Sequence, residues 1–233
     1  MVDLRNPNLA GTAFNAPVHS ATDGWTFTAA SSQHIDTGWK CGATDSKATQ
    51  DSVHVGMRIM AASGGHPGSV DSASASNRLG FEAFSAGIQR WFGNDGTTLQ
   101  TAENPATPAH FIGVRTGASA RALYRDGIGL ANDSQASQTP ADVNVMLGAR
   151  HRHGGIIDAF LTGRLELWHA GAGLTAAQSA TLMALFNAYC AATVPADGLD
   201  GLATAPIIGV GMKRLHSAYA GPLVRLVRNV DDA

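Results

Sequence analysis

The chain has 233 residues, 44% of them hydrophobic and only 15% charged, enough to bury the core of one large domain or two small ones and too apolar for general disorder. Its formal net charge of −2 supplies no basic footprint for a nucleic-acid partner, so none is expected. Twenty-seven glycines, abundant alanine and few Lys or Glu residues describe many turns and small side chains, which fits an all-β domain better than a helical bundle.

The first residues, Met1 to Gly11, lack the apolar core of a signal peptide, and no apolar run is long enough to span a membrane. Synthesis in the cytoplasm without membrane insertion is the expectation. Cys41 and Cys190 are too few for a disulfide framework and are read as separate buried thiols. From residue 206 onward four basic residues face two acidic ones, which leaves 12 basic against 16 acidic residues in the rest. A basic tail on an acidic body weakly favours contact between subunits.

Residues 1–24 read as an irregular arm rich in Asn, Pro and small residues. In WTFTAASSQHIDTGW, Trp25, Phe27 and Ala29 alternate with Thr26 and Thr28 before Ile35 and Trp39 continue the pattern: strand, turn, strand. In DSVHVGMRIM, Val53, Val55, Met57 and Ile59 share one face, and His54, Gly56 and Arg58 share the other, the signature of a half-buried strand. Leu79, Phe81 and Ala83 alternate next, after a loop rich in Gly, Ser and Ala.

Two stretches carry hairpin signals, GNDG (Gly93 to Gly96) and RDG (Arg125 to Gly127), because Asn, Asp and Gly tolerate the positive φ of tight turns. The second would pair ARALY with IGLAN. DVNVMLGAR turns Val143, Val145, Leu147 and Ala149 inward, and GRLELWH adds a strand carrying Leu165 and Leu167. One helix follows, with Thr175 and Gln178 at capping-box spacing and Leu182, Leu185, Phe186 and Tyr189 in an apolar stripe that should pack over the strands.

The fold class expected is therefore an all-β, two-sheet antiparallel jelly-roll sandwich with one C-terminal amphipathic helix and an extended tail. Its divisions are an arm at 1–24, the sandwich at 25–192, a linker at 193–205 and a docking segment at 206–233.

FTAASSQHIDTGW resembles the opening strands of the concanavalin A-like, laminin-G-like jelly rolls of bacteriophage and prophage structural proteins. GRLELWHAGAGLTAAQSATLMALFNAY is similar to the ending of the same family, and MKRLHSAYAGPLVRLVRN to a leader segment that precedes a further sandwich module in phage proteins. The resemblance implies a virion component of a fibre, spike or capsid. It would be assembled in the bacterial cytoplasm, with copies of itself and other virion proteins as partners and recognition of a host surface glycan as an added role. It also places residues 206–233 outside the sandwich, so Arg214, Tyr219, Arg225 and Arg228 are candidates for docking on a neighbouring subunit, where an unpaired strand edge invites pairing.

Catalysis finds little support. Polysaccharide cleavage needs two facing carboxylates, and of Glu82, Glu103 and Glu166 none has a second acid two positions away, although Glu82 and Glu166 could converge in space. His151 and His153 have the spacing of two metal ligands, with Asp158 the nearest acid, but a site needs more ligands than these, so no metal and no cofactor is expected. No G-x-S-x-G elbow and no phosphate loop occurs. The class expected is a non-enzyme. The alternative is a free-standing carbohydrate-binding lectin or a glycoside hydrolase. Sugar rings stack on exposed aromatics, which makes Trp91 and Tyr124 the candidate carbohydrate-binding residues, although core or interface is the better reading of Trp91 itself; Trp25 and Trp39 sit on apolar faces and belong to the core.

Overall fold

The computed structural model describes residues 2–3, 11–20, 24–43, 46–71, 77–84, 88–101 and 108–192. In chain order the strands are β1 (Val2–Asp3), β2 (Thr12–Phe14), β3 (Val18–Ser20), β4 (Gly24–Phe27), β5 (His34–Asp36), β6 (Val53–Ala62), β7 (Gly68–Asp71), β8 (Arg78–Phe84) and β9 (Ile88–Asp95). They continue as β10 (Leu99–Thr101), β11 (Ala109–Gly117), β12 (Ala120–Arg125), β13 (Ile128–Asp133), β14 (Met146–Leu147), β15 (Arg150–Arg152), β16 (Ile156–Asp158) and β17 (Gly163–Gly171), and helix α1 (Ala176–Ala192) follows.

Among the described residues these strands form two sheets. The first has the order β13-β12-β11-β6-β17-β4-β3, with β1 beside β17. The second has the order β10-β9-β8-β7-β14-β5-β2, with the β15–β16 hairpin beside β7. Apart from the parallel β15–β7 contact, the pairs recorded are antiparallel. This is the two-sheet jelly-roll sandwich with a C-terminal helix that the alternation predicts. Val53, Val55, Met57 and Ile59 of β6 meet Leu79, Phe81 and Trp91 of the facing sheet in one continuous core. The Asp126–Gly127 turn closes the β12–β13 hairpin with φ of 48° and 88°, and Arg125 lies opposite Ile128.

The first sheet departs from a half-buried sheet. His54 and Gly56 on the outward face of β6 are buried, as are His110, Ile112 and Val114 of β11. Helix α1 covers them, with the Phe186 ring 5.5 Å from that of His110 and 4.8 Å from that of His169. The buried face of α1 is Ser179, Leu182, Met183 and Phe186, at helical spacing; Leu185 and Tyr189 are only half-buried, so Met183 takes the place the sequence pattern assigned to Leu185. The capping box forms as expected: the Thr175 N–H donates to Gln178 Oε1 (2.9 Å) and the Gln178 N–H to Thr175 Oγ1 (3.3 Å).

A bulge in β17 corrects the reading of that strand. Leu165 pairs with Ile59 and faces the core, but Glu166 is an extra residue, and Leu167 pairs with Arg58. One inserted residue exchanges the two faces, so Trp168 and not Leu167 continues the core, while Leu167 and His169 turn toward α1. Residues 143–149 are another departure. Val145, Leu147 and Ala149 are buried as expected, but only Met146–Leu147 forms regular strand, and Met146 is buried as well. Part of the segment read as an irregular arm forms β2 and β3, which close one edge of each sheet. The linker at 193–205 and the docking segment with Arg214, Tyr219, Arg225 and Arg228 lie outside the described residues.

Gly113, opposite Val55 on the core face of β11, leaves the space that the Trp91 ring fills: a Cβ there would fall 2.1 Å from Trp91 Nε1. Gly113→Ala is therefore expected to cost about 1–3 kcal/mol. The check is the urea midpoint at unchanged slope, and a variant as stable as the parent would place the Trp91 ring elsewhere.

Candidate functional site

Leu123 points into the core, so its neighbour Tyr124 stands on the outward face of β12, opposite Ile112 of β11. Across the other strand it faces Gly129, where a Cβ would meet the edge of the half-buried ring in ordinary van der Waals contact at 3.7 Å. Beyond the first turn of α1 the helix no longer covers this part of the sheet. What remains is a groove of about 420 Å³ lined by Val114, Thr116, Tyr124, Asn132, Asp133 and Thr175, among others. Buried Val114 and Leu174 give it an apolar floor, and exposed Thr116, Ser119, Asn132, Asp133 and Thr175 give it a polar rim. An aromatic face beside a few hydroxyl, amide and carboxylate groups suits a ligand with alternating apolar and hydroxyl-bearing faces.

The rim is held by a buried ion network. Asp95, fully buried, accepts from Arg115 Nη2 (2.7 Å) and from Arg121 Nη1 (2.7 and 2.8 Å). Arg121 then grips Asp133 in a bidentate pair, Nε to Oδ1 at 2.6 Å and Nη2 to Oδ2 at 2.7 Å. The hydrogen bond from Arg121 holds the Asp133 carboxyl below its usual range, so the rim carries an anion at neutral pH. Arg115 Nε donates to the Gly93 carbonyl, and Arg115 Nη1 to Gln135 O at 2.9 Å. The GNDG stretch is thus more than a surface turn: Asn94 takes the expected positive φ of 57°, but Asp95 anchors the network.

Of the two candidate sugar-stacking residues, the structure brings only Tyr124 to a groove. Trp91 is 0% exposed and lies in the sandwich core between the two sheets, a correction with a simple cause: β9 turns it inward against Gly93 and Gly113. Trp25 and Trp168 are buried, and Trp39 packs on Trp168 edge to face at 5.9 Å. Glu82 and Glu166 do not converge. Each stands on the outward face of its own sheet with the core between them, Glu82 near Arg90 and Glu166 on Arg58 at 2.6 Å. His153 is exposed at the β15–β16 turn, His151 is bonded through Nδ1 to the Asn144 carbonyl (2.9 Å), and Asp158 is held by Arg150 and Arg152. Among the described residues no group of three His, Cys, Asp or Glu side chains is arranged to hold a metal ion. Cys41 is free and buried, and burial pushes its thiol up to about 11.

Two arrangements escape the sequence because each draws on more than one strand. Ser69 Oγ and His66 Nδ1 lie 2.7 Å apart, with Glu82 Oε1 3.7 Å from His66 Nε2. Ser69 and His66 are both buried, and burial together with Arg150 and Arg78 lowers His66 to about 3, so a neutral ring ties β7 to the turn before it. The other is the set of His54, His110 and His169 beneath α1, drawn from three strands.

No family model matches the chain, and no curated protein sequence matches it. Solved structures do. The NanB sialidase from Streptococcus pneumoniae aligns over 68% of this chain and 27% of its own at 12% identity, with a TM-score of 0.51. The Ruminococcus gnavus IT-sialidase CBM40 aligns over 65% of this chain and 92% of its own at 18% identity and a TM-score of 0.49. A SAP-like pentraxin from Limulus polyphemus aligns over 59% and 71% at 15% identity and 0.42. The chain thus spans about a quarter of the pneumococcal sialidase. At 12% identity the likeness to the pneumococcal sialidase bears on the fold alone, and it is in keeping with the two-sheet jelly roll traced above.

Arg121→Met would leave Asp133 without its partner and Asp95 with one cation in place of two. The expected loss is about 3 kcal/mol in chemical denaturation, and a variant within 0.5 kcal/mol of the parent, about the effect of an ordinary surface substitution, would show that the network does not hold the rim.

Proposed function

We propose that this chain is a non-catalytic glycan-binding sandwich whose ligand site is the groove over Tyr124. The observation that carries this reading is the half-buried Tyr124 ring lining a groove whose rim holds Thr116, Asn132, Asp133 and Thr175. A pyranose laid on the ring would cover its apolar C–H face while its hydroxyls reach the rim, where the Asp133 carboxylate accepts. The groove volume falls within the range of about 300–1,000 Å³ typical of small-molecule sites. The pneumococcal neighbour is a sialidase, so a sandwich of this shape occurs in a protein that acts on glycans. The separation of Glu82 from Glu166 on opposite sheets removes the acid pair that a hydrolase reading had available.

Binding on a glycan array followed by calorimetry on the best hit tests this. Tyr124→Ala is expected to weaken binding about tenfold or more, the equivalent of about 1.4 kcal/mol, with the thermal midpoint little changed. An array with no hits, or a Tyr124→Ala variant that binds as the parent does, overturns the reading.

The finer part of the proposal is display on a phage-like particle, with the terminal segments as anchors. It is supported by the resemblance of FTAASSQHIDTGW and GRLELWHAGAGLT to virion jelly rolls and by the basic surplus of residues 206–233. Light scattering on the full chain and on a version ending at Thr193 is expected to show an oligomer for the first and a monomer for the second. Identical monomers would remove the anchoring role of the tail.

A further inference from the structure

Beneath α1 the outward face of the first sheet carries three histidines, one from each central strand: His54 on β6, His110 on β11 and His169 on β17. All three are buried, and His110 is 0% exposed. His110 Nε2 and His169 Nε2 lie 2.8 Å apart, so one ring donates its Nε2–H and the other accepts. His54 donates Nδ1–H to the Ala172 carbonyl at 2.6 Å, and its ring centroid is 5.2 Å from that of His169. The Nδ1 atoms of His110 and His169 meet no hydrogen-bonding group. We propose that this cluster is an acid-sensitive latch: protonating it drives α1 off the sheet and uncovers the apolar face built from Ile112 and Leu167.

The closed geometry has no room for another proton. Added to the accepting Nε2, it would set two N–H groups against each other at 2.8 Å. Added to a free Nδ1, it would sit in an apolar pocket without an acceptor. Among the described residues no element packed on the cluster offers a spare anion. Helix α1 has no charged residue anywhere in AAQSATLMALFNAYCAA, and its Phe186 ring lies over both His110 and His169. Residues 172–175 contribute only backbone and neutral side chains. From β6 comes the cation of Arg58, and the β17 carboxylate, Glu166, is 2.6 Å from that Arg58. At the β12–β13 turn, Asp126 accepts the His110 backbone N–H (3.1 Å) and lies 3.6 Å from Arg125.

Burial comes first, and the positive charge of Arg58 adds to it, in lowering His110 to about 3; burial lowers His54 to about 4 and holds His169 well below its usual value. All three fall below the 6.5 of a free imidazole. A depressed histidine contributes stability that is complete above about pH 6.5 and is lost as the pH falls toward the folded value. Between pH 7.5 and 5.5 one histidine released to its free value raises the opening constant of α1 about tenfold; the three rings still face one another on the sheet once α1 has left, so their mutual repulsion holds the joint rise below the product of three such factors.

Hydrogen exchange followed by mass spectrometry on the full chain, corrected for the intrinsic pH effect, reads that constant directly. The expected result is a rise of well over tenfold in opening for peptides spanning 176–186 from pH 7.5 to 5.5, with β8 and β9 still protected. The His110→Leu, His169→Leu double variant, which replaces both members of the bonded pair, is expected to keep only the tenfold rise due to His54. A wild-type change below tenfold, a double variant with the full rise, or β8 and β9 opening in step with α1 would overturn the proposal. Should the double variant fail to fold, imidazole nitrogen NMR on the wild type decides. Neutral rings on His110 and His169 at pH 5.5 agree with the latch, and either ring titrating at 6.5 or above refutes it.

Discussion

The first sheet is buried on both faces through its central strands, and most of what distinguishes this sandwich follows from that constraint. On one side β6, β11 and β17 present Val53, Val55, Met57, Phe111 and Trp168 to the facing sheet. On the other they present His54, Gly56, Ile112, Leu167 and His169 to α1. A strand buried twice cannot alternate apolar with freely solvated polar residues, so its second face is made of rings, small residues and paired groups. Gly56 illustrates the tightness, since a Cβ there would fall 2.1 Å from the His169 ring.

Helix α1 divides the outward surface into two chemical regions. Under its body the sheet is buried: His110 bonds to His169 and His54 to the Ala172 carbonyl, while the Nδ1 atoms of His110 and His169 are left without a partner. Past its first turn the sheet is open, and the Tyr124 groove begins. The position of that boundary is set by the capping box of Thr175 and Gln178, which fixes where the helix starts. The rim on the far side is set by Arg121 and Asp95, whose buried pairs join the end of β9 to β12 and β13. Groups carried on strands and locked by buried ion pairs keep their geometry without a ligand, which lowers the ordering cost of binding.

Local patterns made much of the fold legible. The β6 alternation, the Asp126–Gly127 turn and the Thr175–Gln178 cap each depend on residues a few positions apart, and each forms as the sequence indicates. What was not legible depends on partners far away in the chain. Trp91 stands beside GNDG, which reads as a loop, yet its burial is decided by Gly113 on another strand. Leu167 keeps perfect alternation with Leu165, but the extra residue at Glu166, opposite β6, exchanges the faces. Leu185 looks as apolar as Met183, and only the docking angle of α1 chooses between them. The histidines were invisible as a set because 56 residues separate His54 from His110 and a further 59 separate it from His169. Tyr124, by contrast, owes its place on the outward face to a hairpin, whose geometry is local.

The double burial of the central strands is tested most directly by proton–proton Overhauser contacts in the full-length protein at neutral pH. Ring centroids 4.8 and 5.5 Å apart predict strong cross-peaks from the Phe186 ring to the ring protons of His169 and His110. Their absence, with Phe186 and Met183 in rapid contact with solvent, would contradict the account and leave the first sheet with one bare face.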